Sequence, residues 1–259
     1  MTMNKVFYLA LLLALATACN TSSDKGAIAE AAQGIEKGEA GTFKFGAADG
    51  VEITADYYPN AEASKLIILL HQAQFSRGEY TAIAPRLVDS GFACLAVDLR
   101  SGGLANEIFN ETAKSARAMN LPTEYLDAKQ DIEAAIAYAA SNTDKEIILW
   151  GSSYSASLAL MVATENAKVS KVIVFSPGEY LANQNSVKTA IAGLEKPVFV
   201  TGSEAEYDMV VKPLVNSMTK ANVQEFKPKG LSDHGSKTLR LAGENTNKLY
   251  KEICSFIRG

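Results

Sequence analysis

Apolar and polar positions change pattern twice along the chain. From Thr42, "TFKF" and "VEITADYY" alternate apolar with polar residues around the turn "GAADG", which predicts an antiparallel hairpin with one wet face. Continuous apolar runs follow: "KLIILLH" (65–71), "FACLAVDL" (92–99), "EIILWG" (146–151), "KVIVFS" (171–176) and "PVFVTG" (197–202). Runs of this kind suit strands buried on both faces of a parallel sheet. Helical periodicity fills the gaps at 79–90, 124–142 and 154–166, and again near 208–220 and 244–257. The order predicts an α/β fold, a mostly parallel, doubly wound sheet opened by an N-terminal antiparallel hairpin, with its ligand site at the carboxyl ends of the strands. Residues 178–196 have room for one short helix, "NSVKTAIAGL", so no large cap domain is expected. Residues 100–122, rich in Gly, Asn and small side chains, are the candidate substrate-facing flap, with a plain solvated loop as the alternative.

The first residues differ from all of this. Lys5 precedes an uninterrupted apolar stretch from Val6 to Ala16, and "ATAC" follows. That stretch is shorter than the ~20 residues of a spanning helix and reads as a signal peptide over 1–18. "LATAC" resembles a bacterial lipobox, which makes Cys19 the expected lipidated N-terminus; Ala16-Thr-Ala18 would also suit an ordinary signal peptidase. Residues 19–41, small and polar, read as a tether ahead of a domain over 42–259. The expected location is the cell envelope, anchored to the membrane by lipid, with a soluble secreted or periplasmic form as the alternative.

Composition narrows the class. At 47% hydrophobic and 21% charged, the chain can bury a full core, which argues against disorder. A net charge of −4 without a basic cluster offers no footprint for nucleic acid. Cys94 and Cys254 lie in apolar surroundings and are expected to be buried free thiols. Neither a His/Asp cluster nor a phosphate-binding glycine loop is present, so no metal or organic cofactor is expected.

The chemistry centres on "WGSSYSAS" (150–157). A strand ending in Gly-x-Ser-x-Gly and passing at once into a helix holds its serine on a sharp turn with the hydroxyl exposed. Gly151 and Ser155 flank Ser153 in that frame, although serines opening a helix also commonly cap it. A serine needs an adjacent base to become a nucleophile. Of the two histidines, His71 precedes Ser153, and only His234 in "LSDHGSKTL" satisfies the order serine, acid, histidine. The acid is expected after "PVFVTG", where "GSEAEYD" offers Glu204, Glu206 and Asp208.

With these residues the chain resembles serine hydrolases of the α/β-hydrolase superfamily, most closely the dienelactone-hydrolase and polyester-hydrolase branches, over residues 42–258. The acid loop there reads roughly Gly-x-x-x-Asp, which implies Glu206 as the acid, with Glu204 and Asp208 as alternatives. "LLHQAQFS" is similar to the segment that supplies one oxyanion N–H and implies Ala73 as a donor, with Tyr154 as the other; Gln72 stands where glycine is usual. "DLRSGG" resembles the family's D-x-R-G-x-G loop. The implied activity is hydrolysis of a small-molecule carboxylic ester or related acyl bond through Ser153, His234 and Glu206. A non-catalytic binding lipoprotein on the same fold, and a peptidase or amidase, are the alternatives.

Overall fold

The computed structural model describes Ile35, residues 38–181 and residues 186–259. The expected signal peptide, Cys19 and nearly all of the tether lie outside the described residues.

Eight strands form the main sheet: β1 (Gly41–Gly46), β2 (Glu52–Tyr58), β3 (Lys65–Leu70), β4 (Ala93–Val97), β7 (Glu146–Ser152), β8 (Val169–Phe175), β9 (Val198–Thr201) and β10 (Val223–Phe226). Their spatial order is β1-β2-β4-β3-β7-β8-β9-β10. β1, β2 and β4 run antiparallel in succession, and every pairing from β4 through β3 to β10 is parallel. The expected hairpin and mostly parallel sheet are therefore both present. Because the central strands carry continuous apolar runs, successive side chains feed cores on opposite faces. Leu66, Ile68 and Leu70 pack with Ile132, Ile136 and Leu158 on one face. Ile67, Leu69, Trp150 and Phe175 pack with Leu87, Ile253 and Ile257 on the other. Cys94 and Cys254 are buried and free, as expected.

The helices are α1 (Ala84–Asp89), α2 (Glu111–Ala118), α3 (Lys129–Asn142), α4 (Tyr154–Glu165), α5 (Ser186–Ile191), α6 (Glu204–Glu206), α7 (Lys212–Val215) and α8 (Glu244–Arg258). Proline explains two departures from the expected spans. Pro85 sits in the first turn of α1, so the expected helix over 79–90 divides into a 3-10 turn, Arg77–Tyr80, and a helix that restarts at the proline. Pro213 removes a backbone donor, and the segment over 208–220 becomes a π turn, Tyr207–Val211, followed by the short α7. Residues 100–122 are folded rather than a bare loop. Two-residue strands β5 (Leu104–Ala105) and β6 (Ile108–Phe109) pair with each other, and Asn110 then caps α2 by accepting the Ala113 N–H at 2.7 Å.

Register sets the functional end of the sheet. Leu70 is level with Gly151, Ser152 with Phe175, and Phe175 with Thr201. The loops leaving β3, β7, β8 and β9 consequently emerge side by side at the carboxyl edge.

Candidate active site

Between β7 and α4 the chain turns within one residue. Ser153 has φ 62° and ψ −124°, a region that costs a non-glycine residue about 1–3 kcal/mol and persists only where its surroundings enforce it. Gly151 permits the turn: a Cβ there would lie 2.4 Å from the Ala156 Cα. Ser153 does not cap α4 with its side chain. Its Oγ instead lies 2.8 Å from His234 Nε2, while His234 Nδ1 lies 2.6 Å from Glu206 Oε2. One imidazole tautomer serves both contacts, with Nδ1–H donating to the carboxylate and Nε2 accepting the serine proton.

Glu206 is held from several sides. Burial works to raise its pKa, but hydrogen bonds from His234, from the Ser176 hydroxyl and from the Ser203 N–H, together with the charge of His234, bring it down to about 2. It is therefore ionised at neutral pH. The two alternative acids point elsewhere. Glu204 accepts the Gly230 N–H at 2.7 Å, and Asp208 pairs with Lys227 at 2.6 Å on the exposed surface.

Ser155, in the position of the motif's second glycine, is wholly buried and fits without displacing the turn. Its hydroxyl accepts the Ser152 N–H at 3.0 Å and lies 2.8 and 2.9 Å from the carbonyl oxygens of Leu70 and Ser152. His71, excluded as the base by chain order, is buried 0% exposed behind the site. It accepts the Leu99 N–H at Nε2, and burial lowers its pKa to about 4.

Past β3, Gln72 and Phe75 close a turn in which Gln74 has φ 60°. The Gln72 N–H is consumed by Glu79 at 2.7 Å, so the next donor along the turn is Ala73. Hydrogen bonds from the Ala73 and Tyr154 N–H groups do not occur among the described residues. Tyr154 itself is fixed by a stacked Tyr125 ring at 4.5 Å and by the Ser101 hydroxyl at 2.6 Å.

The polar support around these groups is not legible in the sequence. Ser176, at φ 53°, accepts the Gly235 N–H at 2.8 Å besides donating to Glu206. Ser152 accepts the Ser236 N–H at 2.9 Å and donates to Glu79. Tyr180 meets the His234 ring edge-on with centroids 6.4 Å apart. The one available signal was position: Ser152 ends β7 and Ser176 directly follows β8, each where a loop of the site begins.

The dienelactone hydrolase family model matches residues 50–227, a span that contains Ser153 and Glu206 and stops short of His234. The quorum-quenching protein AidA of Acinetobacter baumannii is 32% identical over 130 residues, which make up 47% of this chain and 38% of that protein. Among solved structures, a dienelactone hydrolase of Anabaena variabilis is similar at a TM-score of 0.63 and 14% identity, covering 85% of this chain and 97% of the other. An esterase of Pyrococcus furiosus reaches a TM-score of 0.65 at 17% identity, with 86% and 93% covered. At those identities the two structures speak to the α/β-hydrolase fold alone.

Proposed function

The chain belongs to the dienelactone hydrolase family, and from that premise we propose that it is a serine hydrolase of carboxylic esters or related acyl bonds, with Ser153 as nucleophile, His234 as general base and Glu206 as the acid that orients it. One observation carries this reading: the unbroken line from Glu206 through His234 to Ser153, at 2.6 and 2.8 Å. His234 takes the hydroxyl proton as Ser153 Oγ attacks the acyl carbon, and Glu206 stabilises the imidazolium that forms. The N–H groups of Ala73 and Tyr154 receive the oxyanion. His234 then passes its proton to the departing alcohol, leaving an acyl-enzyme. Water, deprotonated by the same imidazole, releases the acid and restores Ser153.

Ser153→Ala is expected to abolish both fluorophosphonate labelling and hydrolysis of short nitrophenyl esters. Labelling that moves to Ser155, or a wild-type protein indifferent to the probe, overturns the assignment. A panel of esters, thioesters and aminoacyl amides then decides the acyl bond preferred. Loss of one oxyanion donor costs about 100- to 1000-fold in rate, so Ala73→Pro, which deletes that N–H, is expected to fall in this range while Ser153 remains labelled. Lipid attachment at Cys19, and with it a place in the cell envelope, is part of the same proposal. Globomycin-sensitive processing supports it, and an unmodified Cys19 in the mature protein rules it out.

A further inference from the structure

The mechanism uses three side chains and two backbone N–H groups, and it leaves one buried carboxylate beside them without a role. Glu79, on the 3-10 turn after β3, has no exposed surface. Its Oε2 accepts the N–H of Gln72, the residue before Ala73, at 2.7 Å. Its Oε1 accepts the hydroxyl of Ser152, the residue before Ser153, at 2.9 Å. That hydroxyl in turn accepts the N–H of Ser236, two residues past His234, at 2.9 Å. One carboxylate thereby fixes, directly or through a single hydroxyl, the backbone next to each working group. Gly235 shows how closely these loops meet, since a Cβ there would lie 2.6 Å from the Ser152 hydroxyl and 2.9 Å from the Gln72 amide oxygen.

Both direct partners donate, so the arrangement suits the ionised carboxylate. An apolar side chain would fill the same space without the cost of burying a charge. Burial pushes the Glu79 pKa up to about 7, against the pull of the Gln72 N–H, the Ser152 hydroxyl and the charges of His234 and Lys237. Tyr80 and Tyr154 are the other titratable groups that face it.

We propose that Glu79 is a positioning residue of this site, holding the Ala73 N–H, Ser153 and His234 in register and setting a second negative charge behind the imidazole. The proposal rests on the reading of Ser153 as nucleophile. Glu79→Gln keeps the shape and an acceptor for the Gln72 N–H while removing the charge. In that variant kcat is expected to fall about 10- to 100-fold, with KM changed less than about threefold. The ascending limb of the kcat/KM profile should move to lower pH, because the imidazolium has lost a nearby anion. Ser152→Ala leaves the Glu79 carboxyl in place and cuts its link to the His234 loop, so kcat should fall with KM again little changed. Thermal melts report the folded fraction of each variant. An unchanged kcat and limb in Glu79→Gln overturn the proposal, as does a loss of rate matched by loss of folded protein with the limb unmoved. Labelling that survives in Ser153→Ala defeats the underlying reading instead. Labelling confined to Ser153 together with an indifferent Glu79→Gln defeats the positioning role alone.

Discussion

Ser155 replaces the motif's second glycine, and its hydroxyl holds the start of α4 against the end of β3 instead of crowding it. Ser155→Gly leaves the Ser152 N–H without its partner and adds backbone freedom in the first turn of a helix. A loss of about 1–2 kcal/mol is expected in urea denaturation, with Ser153 labelling retained. The two carboxylates near His234 should bend the pH–stability curve in opposite directions. Glu206 is held below the ordinary carboxylate range, so its contribution is present above that range and is lost as pH falls towards about 2. Glu79 is raised, and from the ordinary range up to about 7 the native state binds more protons than the unfolded chain, so stability falls as pH rises. Replacing Glu79 with glutamine removes that slope: the variant's stability relative to wild type should improve between pH 5 and pH 8, and a difference independent of pH would contradict it. Ser153, His234 and the choice of acid loop were legible because spacing and chain order carry them. Glu79 was not, since its bond to Ser152 spans 73 positions and arises only when two loops meet.

Helix and strand spans broadly followed the apolar periodicity, with breaks at the prolines and a 3-10 turn, Tyr125–Ala128, opening the span over 124–142; over 100–122 a polar, glycine-rich composition concealed a folded element. Asn110 organises that element. Besides capping α2, its amide nitrogen lies 2.9 Å from the Leu99 carbonyl, 3.3 Å from that of Phe75 and 3.1 Å from His71 Nε2. Asn110→Ala should cost about 2–4 kcal/mol, from a lost cap plus buried polar atoms left unpaired. The hairpin β5–β6 hangs from the turn after β3, since Gly103 and Leu104 donate to the carbonyls of Phe75 and Gln74. Leu104 and Phe109 are 48% and 67% exposed on it and line a groove with Lys114 and Arg117. If this element is the substrate-facing flap, Phe109→Ser leaves stability within about 0.5 kcal/mol and raises KM for long acyl esters more than for acetyl esters. Equal effects on both would make the hairpin a bystander.

Across the whole molecule, the antiparallel edge of the sheet and the layer of α3 are tied to the loop after β4 by a buried ionic group. Arg100, 0% exposed, follows β4 and donates to Asp131 at 2.7 Å in the first turn of α3 and to Asp49 at 2.6 Å in the turn between β1 and β2. Its backbone N–H also donates to Asp131 at 2.8 Å. The antiparallel edge, the helical layer and the loop carrying Ser101 thus converge on one guanidinium, and Ser101 reaches Tyr154 beside Ser153. The "DLRSGG" stretch was recognisable as a motif, but neither aspartate could be paired with it from the sequence, because they lie 51 and 31 positions away on different elements. A buried ion pair adds little over an apolar replacement, yet deleting one partner strands the other charge in a medium that cannot solvate it. Asp131→Ala should therefore cost about 3–5 kcal/mol, more than Asp49→Ala, because Asp49 is partly exposed and water can take its place. Urea denaturation of the two variants measures that order. The loss should reach the site as well: with Arg100 released, the Ser101 loop no longer steadies Tyr154, and kcat of the folded Asp131→Ala protein should fall while Asp49→Ala stays near wild type. Equal destabilisation by both substitutions would mean that the guanidinium is hydrated in solution and that the network is not the link between the edge of the sheet and Ser153.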